Sequence, residues 1–400
     1  MVMEGAHGGH PMTAFDAELA KARKDISALE LLAQRDPRDP EKRVRLAYRQ
    51  FHQASLTGSE SDFRAAKQTC AEMIRDFGPK EDICLLEANI AGRFHCLAEA
   101  RQALQMCPSL ARRMAGRSLL ADLDFQEGRY DQAHAAWEDL IAEQRTWDNL
   151  ARLAHWKGKL GQIDEADQLY EEAAGDLTAK EMRSFAWIEV QRGALALSHG
   201  RPNQARAHYE RASRSYSGHW YTDEHLAGSL AAEGKPEEAL ALLQKVSARV
   251  PKPELKQTCG ELLRFLGRAD EAQPWLQAAE QAYLSSAQEG AVHYYHHLAD
   301  FYADAGSQPA EAVKWARKDV ALRANFSTQS ALAWALYQSG DAAEGLAWIR
   351  RALASGVQDA GIFATASAIF NACGDAAEGG RYARAAAAIN PNGQNFHMHH

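Results

Sequence analysis

The 400-residue sequence has little proline, no long apolar run, no block of basic charge and no cysteine pairs at metal-binding spacing. Each shortage excludes something. Only 12 prolines beside abundant alanine favour helix over sheet. No apolar stretch approaches the roughly 18 residues of a membrane span, so membrane insertion is not expected. Acids outnumber bases by 53 to 45, well mixed, for a net charge of −8. Without a basic stretch to follow a phosphate backbone, nucleic acid is not an expected partner. The six cysteines (Cys70, Cys84, Cys96, Cys107, Cys259, Cys373) include no C-x-x-C, which argues against structural zinc. Cys70 and Cys84 flank the turn at Gly78 and Pro79 and could face each other across two helices as a disulfide; buried thiols are the alternative. The nucleophile elbow G-x-S-x-G, H-E-x-x-H, the Walker loop and G-x-G-x-x-G are all missing, so no enzyme is expected.

At the N-terminus, MVMEGAHGGHPM has neither a basic n-region nor an apolar h-region. A cytoplasmic protein and an exported one whose leader was replaced by a start methionine both remain open. Oligomeric state is equally open. Residues 1–13 read as a flexible tail rich in His and Gly. Residues 14–40 form a capping helix and a Pro-containing linker, and 392–400 a second tail with His and Met.

Between these ends a pattern recurs: a glycine, a polar turn, then a small residue five positions on. It appears as GRYDQA at Gly128, GQIDEA at Gly161, GRPNQA at Gly200, GKPEEA at Gly234, GRADEA at Gly267, GSQPAEA at Gly306, and GDAAEG at both Gly340 and Gly374. The intervals are 33, 39, 34, 33, 39, 34 and 34 residues. A period in the thirties with helix on both sides of a turn marks a helical solenoid. The glycine can end one helix in the left-handed region, the small residue lets two helices approach, and Trp137, Tyr170 and Tyr209 fill the gap to the next repeat. The two 39-residue intervals call for longer helices or loops before Gly200 and Gly306. Upstream the pattern decays: His95 stands where a turn glycine belongs, and the turn at Gly58 carries an insertion. Residues 41–110 are therefore the divergent repeats and 111–391 the regular solenoid.

The order Tyr295, Leu298, Ala299, Tyr302, Gly306 resembles the tetratricopeptide repeat family. Leu332, Ala333 and Gly340 fit partly, as do Leu153, Ala154 and Gly161, with Pro251 and Pro391 as closing prolines. The resemblance covers about residues 40–391. It implies an all-α, right-handed superhelical solenoid of about ten helix-turn-helix repeats, and a non-enzymatic scaffold or adaptor binding a protein or peptide in its concave groove. Aligned on the turns, the groove residues it implies are Glu254, Gln257, Glu261 and Arg264; His293, His296, Asp300 and Asp304; and Ser327, Ser330, Trp334 and Tyr337.

A second class of function stays open: binding or delivery of a transition metal. AVHYYHHLADFYADAG (291–306) reads as one amphipathic helix, on which His293, His296, His297, Asp300 and Asp304 share about 100° of arc. Three imidazoles with Asp300 suit zinc, copper or nickel. The tails add His7, His10 and Met12, and His397, Met398, His399 and His400, a His/Met set that favours copper, although the C-terminal run also resembles an affinity-tag remnant. His219 and His225, six residues apart, share no face and read as packing.

Overall fold

The structure, a computed structural model, describes residues 12–392, and these are built from helices without a strand. Helix α1 (Ala14–Arg35) starts at Thr13, whose hydroxyl accepts the Asp16 N–H at 3.1 Å, and stops just before Pro37. Ten hairpins follow. The first three are α2 (Pro40–Thr57) with α3 (Glu60–Phe77), α4 (Glu81–Arg93) with α5 (Leu97–Met106), and α6 (Met114–Gln126) with α7 (Tyr130–Glu143). Next come α8 (Trp147–Lys159) with α9 (Ile163–Gly175), α10 (Met182–Ser198) with α11 (Pro202–Ser215), and α12 (Trp220–Ala232) with α13 (Pro236–Arg249). The last four are α14 (Pro253–Phe265) with α15 (Ala269–Gln288), α16 (Tyr295–Ala303) with α17 (Pro309–Leu322), α18 (Phe326–Gln338) with α19 (Ala342–Ala354), and α20 (Ala360–Ala372) with α21 (Ala376–Ile389). The protein is an all-α solenoid.

The turn chemistry explains the hairpins. Gly128, Gly161, Gly200, Gly234, Gly267, Gly340 and Gly374 have φ between 68° and 90°, which other L-residues reach at a cost of roughly 1–2 kcal/mol. The alanines five positions after the first five of them, Ala133, Ala166, Ala205, Ala239 and Ala272, are completely buried, as is Ala312 after the turn at Gly306. Where glycine replaces alanine the helices are closer still: a Cβ on Gly379 would lie 2.3 Å from Asn371 Oδ1. His95 does take the turn position, at φ 60°. The long intervals become the 17-residue α10 and the 20-residue α15.

Two expectations are corrected. The stretch 291–306 is not one helix. Gly290, at φ 88°, ends α15, and Ala291–Tyr294 form the return loop, so helix begins only at Tyr295. That helix stops at Ala303, and Ser307 rather than Gly306 is left-handed. Cys70 and Cys84 form no disulfide. All six thiols are free, and the sulfur beside Cys84 is that of Cys107, at 3.1 Å. Burial pushes the Cys84 thiol up to about 12, so it stays protonated.

Packing between hairpins leaves little slack. A Cβ on Gly193 would lie 2.3 Å from the fully buried ring of Tyr209. Gly193→Ala should therefore cost about 3 kcal/mol by overpacking, read as a lower denaturation midpoint, with partial rescue by Tyr209→Leu.

Hairpins about six repeats apart also touch, because the superhelix stacks one turn on the next. The Trp220 indole donates to Leu56 O at 2.8 Å, Asn325 Nδ2 to Gln126 O at 2.9 Å, the Gln358 N–H to Lys159 O at 2.8 Å and Asn392 Nδ2 to Gly200 O at 3.1 Å. Further pairs extend the seam: the Phe15 N–H donates to Ser217 O at 3.1 Å, and Arg64 pairs with Glu289 at 2.6 Å. In the Leu56, Gln126, Lys159 and Gly200 contacts a hairpin turn of the first superhelical turn docks near a helix start, or a terminal or connecting loop, of the second, and at Phe15 the start of α1 meets the loop between α11 and α12.

Candidate functional site: the inner channel

Stacking closes the concave groove into a channel. A cavity of about 600 Å³ lies inside the first superhelical turn. It is lined by the first helices of successive hairpins, including Arg93 of α4, Asp122 and Phe125 of α6, His155 of α8 and Trp187 of α10. Ser55 and Arg183 also line a cavity of about 840 Å³ between α1 and α2. His155, Tyr170 and Gln191 also line one of about 300 Å³ that reaches Asp359 and Ala360. The three cavities thus share wall residues.

The wall carries both anchors and charges. Trp147 and Trp187 meet edge to face at 6.2 Å, and Trp187 keeps 38% of its surface exposed. Phe125 lies within about 6 Å of Trp137, His155 and Trp156 and forms an aromatic floor. Arg152 is held between Asp122 and Asp148, both at 2.8 Å. Arg93 differs: it lies over the Phe63 ring at 5.2 Å, and no carboxylate among the described residues pairs with it. Although Arg93 is solvent-exposed, desolvation by the surrounding wall lowers its pKa, with Tyr221 opposing and Arg183 adding repulsion. His155 is solvent-exposed, yet desolvation within the enclosing wall, with Lys159 nearby, pushes it down to about 4. His219 is likewise held at about 4 by burial and by Arg183.

The residues that the turn alignment assigned to the groove lie in the second superhelical turn, and they divide. Gln257 is buried in the α14/α15 interface; it donates to Glu261 at 2.8 Å and accepts from Tyr283 at 2.9 Å. Arg264 donates to Ala305 O at 2.5 Å, and Ser330 is buried. Trp334 and Tyr337 pack together at 5.3 Å, with the Trp334 indole donating to Asp304 at 3.2 Å. Ser327 is exposed. Glu254 pairs with Lys252 at 3.0 Å, while Asp300 and Glu261 help to raise the Tyr283 pKa from the same wall.

The histidines occupy the seam. His293 meets Phe94 at 4.6 Å and His296 meets His95 at 5.6 Å, both across superhelical turns. His297 stacks on Tyr283 at 5.4 Å. Nδ1 of His293 and Nδ1 of His296 are buried without hydrogen-bond partners. Because His293 precedes the helix, the shared face with Asp300 does not form, and among the described residues no group of three or more His, Cys, Asp or Glu has a metal-site arrangement. His7, His10, His397, Met398, His399 and His400 lie outside the described residues; Met12 is exposed. Among the described residues no helix is long and apolar enough to cross a membrane.

The same turn count applies to the earlier hairpins. Counting back 13, 10, 6 and 3 residues from Gly128, Gly161 and Gly200 reaches Asp122, Phe125, Asp148, Ala151, His155 and Trp187, all in the 600 Å³ cavity. Arg93 and Arg183 fall outside that count.

Fold and channel together define a helical-repeat scaffold. Residues 196–262 match the tetratricopeptide repeat family, a fold that generally serves as a non-catalytic protein-interaction scaffold. No curated protein matches the chain's sequence. Among solved structures it is similar to a human IFIT1 dimer with PPP-AAAA, at 16% identity over 84% of this chain and 79% of that one, with a TM-score of 0.49. The APC/C hetero-tetramer Cut9-Hcn1 aligns at 14% identity over 95% and 87%, with a TM-score of 0.43. A tetratricopeptide repeat protein from Parabacteroides merdae aligns at 15% over 62% and 94%, with a TM-score of 0.38. Similarity at these levels carries no functional assignment.

Proposed function

We propose that the protein is a non-catalytic scaffold that holds an extended segment of a partner protein inside the channel, with the first-turn cavity as its principal dock. The observation that carries this reading is the 600 Å³ cavity, in which two indoles stand beside a guanidinium with no carboxylate of its own. Aromatic and Arg side chains in a partly desolvated pocket are the usual centres of binding energy. Of the second-turn residues, Glu254, Glu261, Asp300, Asp304, Ser327, Trp334 and Tyr337 would extend the path of that segment, whereas Gln257 and Ser330 are buried, Arg264 bonds Ala305, and His293 and His296 are covered in the seam.

A photo-crosslinking amino acid at Trp187 or His155 should capture partner polypeptide in cell extract, whereas the same probe at exposed Gln244 on α13 should not. Arg93→Ala should reduce the yield at Trp187 about tenfold with an unchanged circular-dichroism spectrum, since losing a charged contact costs about 1.5–3 kcal/mol. Equal yields inside and outside would sink the reading. Adducts removed by nuclease and resistant to protease would replace the protein partner with nucleic acid.

A further inference from the structure

We propose that Cys84 and Cys107 are a site of reversible oxidation, where a disulfide closes the open end of the α4/α5 hairpin in an oxidising environment. The proposal is independent of what the channel holds.

Placement makes the pair. Cys84 lies in the first turn of α4, and Cys107 is the residue that ends α5. In a hairpin these two positions meet at the end opposite the turn. Their sulfurs are 3.1 Å apart. Non-bonded carbon atoms settle at about 3.5–4.0 Å, and sulfur is the larger atom, so the two thiols are already pressed together. Bonding distance is about 1 Å closer, within reach of small side-chain rotations. No other thiol competes. Both sulfurs belong to one apolar cluster with Leu97, Leu104 and Leu123, whereas Cys70 is buried in the neighbouring cluster with Phe63 and Met73. Cys96 turns its sulfur toward Phe94 O at 3.7 Å, and Cys259 and Cys373 belong to α14 and the end of α20.

The hairpin is also one that a bond would serve. Its turn uses left-handed His95 in place of glycine, and α5 has only 10 residues. That turn carries Phe94 and His95 onto His293 and His296 across the seam, and Arg93 into the channel. With its open end tied, the segment 84–107 becomes a closed ring, which removes conformational freedom from the unfolded chain.

The oxidant is a low-molecular-weight disulfide, R–S–S–R. Cys107 keeps 9% of its surface exposed and Cys84 none, so Cys107 reacts first. Its sulfur loses a proton, attacks one sulfur of the reagent and expels R–S⁻. Cys84 then gives up its own proton, attacks the Cys107 sulfur of the mixed disulfide and expels the second R–S⁻. Two thiols are oxidised, one reagent disulfide is reduced, and the two protons end on two R–SH. Burial, with Cys107 alongside, holds the Cys84 thiol at about 12, so the second step is the slow one. Reducing cytosol would keep the pair as thiols, and an oxidising compartment would close it.

The test compares the full-length protein after incubation with dithiothreitol and with oxidised glutathione, in a Cys373→Ser background that removes the exposed thiol. Oxidation should consume two thiols, join the Cys84 and Cys107 peptides in a digest and retain no glutathione. The melting temperature should rise by about 5 °C and return on reduction. Amide exchange at His95 and Cys96, whose N–H groups bond Gly92 O and Ala91 O, should slow in the oxidised form. Cys107→Ser should melt at the same temperature in both reagents. Refolding from urea in oxidised glutathione gives both sulfurs access, so burial cannot hide the result. Unchanged thiols after refolding, a pairing through Cys70 or Cys96, or a glutathione adduct on Cys107 that never resolves would overturn the site. A bond formed without a higher melting temperature would overturn its role as a brace.

Discussion

Gly128→Ala should destabilise the protein by about 3 kcal/mol or more, and Gly267→Ala by only about 1–2 kcal/mol, although the two glycines do the same local job. Their backbones match, at φ 80° and 76°, so the left-handed penalty is common to both. Their surroundings do not. A Cβ on Gly128 would lie 2.5 Å from the Ala324 carbonyl oxygen across the seam, whereas one on Gly267 would meet nothing within 4 Å. Only the first substitution pushes the two superhelical turns apart. Beside it, Asn325 donates to Gln126 O at 2.9 Å, and the Phe326 N–H donates to the Tyr130 hydroxyl at 2.7 Å. Hydrogen exchange at Phe326 should accelerate in Gly128→Ala and stay unchanged in Gly267→Ala. Equal denaturation midpoints for the two variants would mean that the turns are not held together there, and the channel would revert to an open groove.

The seam marks the boundary of what the sequence could reveal. Hairpins were legible because each rests on local chemistry: glycine at a left-handed turn, a small residue five later, aromatics beyond. His95 was even visible as a misfit, and its φ of 60° confirms the turn without the glycine. Contacts six repeats apart leave no periodic trace. They run through backbone acceptors such as Leu56 O and Lys159 O, which any residue supplies, and so the closing of the groove could not be read. The same blindness misplaced the histidines. His293 and His296 read as a free helical face because Phe94 and His95, which cover them, lie about 200 residues away in sequence. Asp148, His155 and Trp187 were within reach of the repeat arithmetic. Arg93 was not, since its special status is an absence of partners that only packing reveals.

Acidification supplies the other large effect, and two groups of residues pull it in opposite directions. His95 and His293 are held at about 3. For His95 burial dominates, with Arg323 and the neighbouring imidazoles of His293 and His297 adding repulsion and Gln126 opposing. For His293 burial again dominates, Glu254 opposes it, and His297, Lys252 and Arg64 reinforce it. Both are neutral in the fold but take up protons near pH 6.5 once unfolded, so their stability is intact above 6.5 and is lost as pH falls toward 3. By pH 5 each should have cost about 2 kcal/mol. Glu224 has the opposite sign. Raised to about 7, it destabilises the fold most above that pH, and it returns about 2 kcal/mol between pH 7 and 5. Glu18, held near 2 by bonds from His52 and Tyr216 against its own burial, stays ionised throughout this window. Glu224→Gln, starting from a higher stability, should therefore lose about 2 kcal/mol more than the parent from pH 7 to 5. His95→Asn, which tolerates the left-handed turn, should lower the parent's loss by about 2 kcal/mol. Urea midpoints at the two pH values measure all three. Parallel curves for the parent and Glu224→Gln would show that the carboxyl titrates as an ordinary exposed acid.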